Sequence, residues 1–352
     1  MSLIYPGEEI REGGGYPALV KFEPARAGQP LVVFVTGGGV LARIAYGHPQ
    51  GRPADFLGHW LREEGYPFLA ISYPLDHPVF DKVYPEFSVR DWGEQTAEIV
   101  AQTLETQGGP RQILVLAWSM AGRIAEPLAA ALKRRGIAIE LFVAMAAATT
   151  LPGLLPGMDQ LRPSARGLAR IEDGFASWLL QSLQGQNELA GHELIPDDLF
   201  RADFTGDLPI NLAATSLRYR DGRFVPDPLA DTDDIGASRY AGFPPLVLMT
   251  HDSALDVRHA LMDRAAWGFY IAQTLCERHL WPQAPRLAAL PTEQWQQILD
   301  LVRIAPEQLT VGMPGNHLFF VSEPGARATV AALNELRGRV RKITAALQMI
   351  AG

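Results

Sequence analysis

The chain has 352 residues, 47% of them hydrophobic and 20% charged, the balance of an ordinary water-soluble globular protein long enough for one large α/β domain with an insertion or for two domains. A net charge of −8, with no basic stripe carrying interleaved aromatics, argues against a non-specific nucleic-acid binder. A single cysteine, Cys276, excludes an internal disulfide, and eight scattered histidines without H-x-x-x-H or Cys/His spacing argue against zinc.

The N-terminus, MSLIYPGEEI, lacks the charged and apolar regions of a signal peptide. No apolar run approaches the roughly 20 residues needed to span a bilayer, so a cytoplasmic protein without a membrane segment is expected. Ala18–Glu23 reads as an early strand. Leu31–Val35 is a continuous apolar, β-branched run closed by Thr36-Gly37-Gly38-Gly39, the pattern of a strand buried on both faces. Ala54–Glu64 places Phe56, Leu57, Trp60 and Leu61 at helical spacing before Gly65. Phe68–Tyr73 reads as a further strand. Ser88, with Asp91 three residues on, predicts the capped start of a helix that stops at Gly108-Gly109-Pro110. Strand Ile113–Leu116 leads into a helix running to about Arg135, in which Pro127 is expected to remove a hydrogen bond and kink the axis. Strand Ile139–Met145 follows. This order predicts a mostly parallel sheet with helices on both faces.

Residues 151–243 break the rhythm. They are rich in Pro, Gly and Asp, with one amphipathic stretch at Gly167–Leu183, and read as a cap inserted over the sheet. The core is therefore expected to comprise residues 1–150 and 244–352. In the second part Leu246–Thr250 reads as a strand, Val257–Arg278 and Thr292–Ile304 as helices, Gln308–Gly312 as the last strand and Gly325–Leu347 as a C-terminal helix.

The chemistry is concentrated where Ile113–Leu116 ends. Ala117-Trp118-Ser119-Met120-Ala121-Gly122-Arg123 places a serine at a tight strand-to-helix turn with small residues two places to either side, as in the G-x-S-x-G nucleophile elbow. Both glycines of that pattern are alanine here. Asp252 follows the Leu246–Thr250 strand, and His317 follows the last strand. Because sites in open parallel sheets gather beyond the carboxyl ends of strands, Ser119, Asp252 and His317 can meet there. Histidine would take the serine proton during attack and return one to the leaving group, and the carboxylate would orient the imidazole. Asp256 is the alternative acid, with helix capping as its other role. The glycine loop and the helix start supply backbone donors for an oxyanion, Gly38 and Met120 being the candidates. Gly37, Gly39 and Trp118 are candidate pocket residues. His251 and His259 read as surface or packing residues.

Over nearly its whole length from Leu31 the chain resembles the α/β-hydrolase superfamily, in which the triad runs Ser, Asp, His along the sequence. Some details resemble its hormone-sensitive-lipase-like esterases. Thr36-Gly37-Gly38-Gly39 is similar to their HGGG loop, Tyr73-Pro74-Leu75-Asp76-His77-Pro78 to their Y-R-L-A-P-E-H-P stretch, and Asp252-Ser253-Ala254-Leu255-Asp256 to their D-x-x-x-D, whose first aspartate is the acid. The replaced elbow glycines, the position of the insertion and the long interval from Asp252 to His317 depart from that branch.

The resemblance implies an α/β-hydrolase fold with an inserted cap. It also implies a serine hydrolase that cleaves a carboxylic ester or thioester through an acyl-enzyme, without cofactor or metal. The substrate would be a small-molecule acyl ester or thioester, or a carrier-bound acyl group, with Arg162, Arg166, Arg170, Arg218, Arg220 and Arg223 as candidate carrier contacts. Two alternatives remain. One is an acyltransferase using the same acyl-enzyme. The other is a non-catalytic binding protein on a disarmed fold, in which Ser119, His317 and Asp252 lie out of hydrogen-bond reach.

Overall fold

A computed structural model describes residues 3–25, 28–155, 161–173 and 175–351. The chain opens with β1 (Glu8–Gly13) and β2 (Tyr16–Glu23), followed by β3 (Leu31–Val35), α1 (Leu57–Glu63), β4 (Phe68–Ser72) and α2 (Val89–Gln107). Next come β5 (Gln112–Trp118), a 3-10 turn over Ser119–Ile124, α3 (Ala125–Arg134) and β6 (Ala138–Met145). The interval before the next sheet strand holds α4 (Ala176–Ala190), α5 (Asp197–Asp203), the hairpin β7 (Leu217–Arg220) and β8 (Arg223–Pro226), and α6 (Pro228–Asp234). β9 (Leu246–Thr250), α7 (Val257–Leu275), α8 (Ala284–Leu287), α9 (Thr292–Gln308), β10 (Thr310–Gly312) and α10 (Glu323–Ala351) complete the chain.

Eight strands form one sheet in the order β1-β2-β4-β3-β5-β6-β9-β10. β1 and β2 pair antiparallel, β2 joins β4 antiparallel, and every pairing from β4 through β10 is parallel. The central strands β3, β4 and β9 are buried at every position, which is why their apolar runs do not alternate. Ser88 caps α2 in the expected reciprocal box with Asp91.

Two expectations are corrected, and one strand is added. β1 is an edge strand that apolar patterning does not reveal, because its middle four residues are exposed or half-buried. The amphipathic helix of the insertion begins at Ala176 rather than Gly167, and a 3-10 turn over Ile171–Asp173 precedes it. Pro127 is the third residue of α3, inside the first turn, where an N–H has no partner within the α-helix. It therefore removes no bond there, and the helix runs on to Arg134.

The insertion is not a loose appendage, since Leu179, Leu183, Phe200, Phe204 and Leu208 belong to the same hydrophobic cluster as the sheet and Phe175 packs against it. Polar bonds fix it further. Arg123, fully buried just after the elbow, pairs with buried Asp231 of α6 at 2.6 Å and donates to the Leu212 and Ala213 carbonyls. Asp234 accepts the N–H groups of Val89 and Arg90 at the start of α2 and pairs with Arg218 at 2.7 Å. Breaking a buried ion pair by removing one partner leaves an uncompensated charge. Asp231→Asn is therefore expected to lower unfolding free energy by about 3–5 kcal/mol in urea denaturation, and an unchanged midpoint would show that this tether does not hold the insertion.

Candidate active site

β5 delivers Ser119 at its carboxyl end with φ of +56°, a left-handed conformation unusual for a side-chain-bearing residue. Such strain persists only where the surroundings enforce it. Gly37 approaches so closely that a Cβ there would lie 2.7 Å from the Ser119 Cβ. On the other side the tight approach falls at Gly122, where a Cβ would lie 2.3 Å from the Ala148 carbonyl oxygen. Ala117 and Ala121 are fully buried. The steric demand for glycine has thus moved one place along the elbow, which explains how alanine is accommodated at 121.

His317 is completely buried. Its Nδ1 lies 2.7 Å from Asp256 Oδ2. A carboxylate there can only accept, so Nδ1 carries the proton and Nε2 is left as the basic lone pair. That Nε2 has no hydrogen-bond partner among the described residues, so the Ser119 hydroxyl is not bonded to it in this conformation. The loop around His317 is tightly held. The Trp118 indole N–H donates to the His317 carbonyl at 2.9 Å, and its ring lies 5.2 Å from the imidazole. Asn316 donates to the Ser182 carbonyl in α4, and Trp178 of α4 packs against the imidazole at 4.6 Å.

Asp256 has a second imidazole donor. The Ser253 N–H donates to His251 Nδ1, which fixes the proton on Nε2, and that N–H points at Asp256 Oδ2 from 3.2 Å. Burial works to raise the Asp256 pKa, but the hydrogen bonds from His251 and His317 outweigh it and hold the carboxyl far below its usual range. Burial dominates at His317 and, against the pull of Asp256, pushes its pKa down to about 4.

The glycine loop lies beside the serine. Thr36 Oγ1 donates to the Val40 carbonyl across it, and the Tyr73 hydroxyl accepts the Gly39 N–H at 2.8 Å while donating to the Gly37 carbonyl. With the Gly39 N–H engaged, Gly38 is the member of the loop that lines the cavity. That cavity, about 290 Å³, is bounded by Ser119, Met120, Trp118, Asp256, Arg258 and His259 on the sheet side. Leu155, Phe175, Trp178, Leu179, Ala213 and Ala214 of the insertion form its other wall. A larger cleft of about 460 Å³, lined by Gln112, Leu246 and Leu309, lies at the amino ends of the strands and contains the Arg337–Glu140 ion pair. In a parallel sheet the site belongs at the other end.

Solved structures share the fold. A variant of AqdC, which recognises the Pseudomonas quinolone signal and cleaves its ring, superimposes with a TM-score of 0.53 at 12% identity, covering 94% of this chain and 99% of that one. The chain has the α/β-hydrolase fold. Similarity extends to a carboxylesterase structure of the ammonia-oxidizing thaumarchaeon Nitrososphaera gargenis, with a TM-score of 0.44 at 13% identity over 96% of this chain and 99% of that one. It extends also to the thioesterase domain of the curacin biosynthetic pathway, with a TM-score of 0.41 at 14% identity over 93% and 98% of the two chains. At such identities the likeness concerns the fold and not the substrate. No protein-family model and no curated protein matches the sequence.

In this α/β-hydrolase fold the residues singled out from the sequence are partly brought together. Ser119, Met120, Gly38 and Trp118 line one cavity. Asp252 is exposed, and the carboxylate on His317 is that of Asp256 instead. The reason is local: Asp252 lies one residue beyond buried His251, whereas Asp256 is drawn inward as the N-cap of α7, accepting the His259 N–H. Gly37 and Gly39 are not cavity residues. Gly37 packs under Ser119, and a Cβ on Gly39 would meet Ile171 at 2.7 Å. Arg166, Arg218 and Arg220 are paired with Asp76, Asp234 and Asp227.

His251 and His259, read as surface or packing residues, are both buried at the site. His259 donates from Nδ1 to Asp263 at 2.9 Å, and its ring lies 5.1 Å from that of His317. The i, i+4 spacing of His259 and Asp263 on a helix was the available signal. His251, Asp256 and His317 each offer a ligand atom within 4.8 Å of the others, close enough to share a cation. Their hydrogen bonds to one another, and the Ser253 N–H on His251, already employ the ring nitrogens that such an ion would need, save His317 Nε2. Among the described residues no helix is long and apolar enough to cross a membrane.

Proposed function

We propose that this protein is a serine hydrolase that cleaves a carboxylic ester or thioester through an acyl-enzyme. Ser119 is the nucleophile, His317 the base and Asp256 the orienting acid. The observation that carries this reading is the 2.7 Å Asp256–His317 contact, which leaves a basic Nε2 on a buried imidazole packed behind Trp118, Trp178 and His259, three residues that line the cavity holding Ser119 in its strained elbow. A buried acceptor without a partner costs about 1–3 kcal/mol. A hydrogen bond from Ser119 would relieve that cost, and catalytic hydrogen bonds commonly tighten only when substrate is bound.

Ser119 Oγ attacks the acyl carbon as Nε2 of His317 takes its proton. The carbonyl oxygen becomes an oxyanion that accepts from the N–H groups of Met120 and Gly38. Met120 follows Ser119 at the start of the 3-10 turn, where first-turn N–H groups lack partners within the helix. The tetrahedral intermediate collapses, the bond to the leaving oxygen or sulfur breaks, and His317 returns the proton to it. Water then attacks the acyl-enzyme by the same route, with the proton passing to His317 and back to Ser119. Asp256, held ionised by two imidazole donors, stabilises the transient imidazolium. Tyr73 acts as a positioning residue that keeps the glycine loop in shape. The disarmed reading predicts that Ser119, His317 and Asp252 lie out of hydrogen-bond reach, and neither Ser119 nor Asp252 bonds His317 in this conformation; the Asp256–His317 contact is what favours the catalytic reading over it.

The reading is tested by hydrolysis of 4-nitrophenyl esters and acyl thioesters of graded length. Turnover with an initial burst of nitrophenol is expected. A base must be neutral, and burial lowers the His317 pKa, so activity should persist as pH falls past the ordinary imidazole value near 6.5 and disappear toward about 4. An acid limb of kcat/KM centred near 6.5 would mean that a solvated histidine, not His317, is the base.

A further inference from the structure

We infer that Arg258 is a specificity residue that receives an anionic group of the substrate, so that the preferred substrates of the Ser119 site are small esters carrying a carboxylate, such as monoesters of dicarboxylic acids. This rests on the hydrolase reading and narrows its substrate class.

Arg258 lines the same cavity as Ser119, Met120 and Gly38. The fully buried arginines, Arg43 and Arg123, contact Glu8 and Asp231 directly at 2.8 and 2.6 Å, whereas Arg258 is half-buried at the cavity. Arg258 has no carboxylate within ion-pair distance among the described residues. Its hydrogen bond runs from Nη1 to His259 Nε2 at 3.3 Å. Asp256 and Asp263 act on it only through space, Asp256 being committed to His251 and His317 and Asp263 to His259. A guanidinium has five donors, so most of its capacity is open to a ligand.

Its support is organised rather than incidental. Asp263 accepts the Nδ1 proton of His259, leaving Nε2 as an acceptor that fixes the guanidinium against the cavity. Fold stability does not account for the residue. Arg258 is the second residue of α7, and a cation in the first turn of a helix sits at the unfavourable end of its dipole. Burial also lowers its pKa, the direction expected for a cation without a counter-charge in contact. An anion here would supply that charge and form bidentate, charge-assisted bonds. The cavity volume of about 290 Å³ and its Leu155, Phe175, Trp178 and Leu179 wall leave room for a short apolar spacer between the charge and the scissile carbonyl.

The test compares 4-nitrophenyl hydrogen glutarate with the neutral 4-nitrophenyl valerate, in the wild type, Arg258→Gln and Arg258→Lys, together with calorimetric titration of glutarate alone. The wild type is expected to favour the anionic ester in kcat/KM. Arg258→Gln should reduce that preference about 10- to 100-fold, and Arg258→Lys should restore part of it. Glutarate should bind the wild type and lose about tenfold or more in affinity with Arg258→Gln. A preference that survives the substitution, or an equal fall for both esters, overturns the inference while leaving the hydrolase reading intact. If the wild type cleaves neither ester, the hydrolase reading is at fault, and calorimetry decides separately. Glutarate binding that depends on Arg258 upholds the anion site, and no binding ends it.

Discussion

Ser119→Ala is expected to reduce kcat by about 10⁴- to 10⁶-fold without unfolding the protein, because no other described group in the cavity stands at an elbow with a base behind it. Alanine removes one oxygen from a half-buried position and leaves the apolar packing of β5 and α3 untouched. The residual rate would reflect the oxyanion donors and substrate positioning alone. Circular dichroism and the urea midpoint should match the wild type. Activity within tenfold of the wild type would place the nucleophile elsewhere.

The second large effect separates two carboxylates four residues apart. Asp256→Ala is expected to cost about 10⁴-fold in kcat, whereas Asp252→Ala should stay within about twofold of the wild type. Asp256 fixes the proton of His317 on Nδ1 and balances the imidazolium. Asp252 is exposed and bonds to no residue of the site. Alanine at 256 also strands the His251 N–H and removes the cap of α7, so a stability loss of about 1–3 kcal/mol is expected beside the catalytic one. Asp256→Asn keeps an acceptor oxygen for the two imidazoles and removes only the charge, so it should fold nearly as the wild type does and fall between Asp256→Ala and the wild type in rate. The reverse order, with Asp252→Ala inactive and Asp256→Ala active, would require a rearranged loop after β9.

These pairs show what a one-dimensional reading can and cannot reach. The strand Ile113–Leu116, the elbow around Ser119, the glycine loop and the histidine after the last strand were legible because each is a local pattern with a steric or apolar cause. The choice between Asp252 and Asp256 was not, because it depends on how a five-residue loop turns inward to cap α7. For a related cause the sequence leaves His251 and His259 open between surface and packing, and the fold makes both packing residues at the site. Their burial comes from β9, α7 and the His317 loop converging, and no periodicity in one segment encodes that. Gly122 was visible only as a misplaced glycine. Its meaning appears once the Ala148 carbonyl is seen to press against it. β1 escaped notice because an exposed edge strand has little apolar signal to give.

Arg258 illustrates the same limit from the other side. In the sequence it is one of several arginines, and those in 162–223 drew attention by their density. In the fold, Arg166, Arg218 and Arg220 are neutralised by neighbours, while Arg258 faces a cavity without a carboxylate in contact. Partnership, not abundance, distinguishes an arginine available to substrate.

The central claim is that Ser119 is a nucleophile activated by the His317–Asp256 pair. The most direct measurement is mass spectrometry of the folded protein after treatment with a fluorophosphonate. One covalent adduct on the peptide bearing Ser119 is predicted, absent from Ser119→Ala and formed far more slowly in His317→Ala. An adduct on another residue, or none at all on protein shown to be folded, would contradict it.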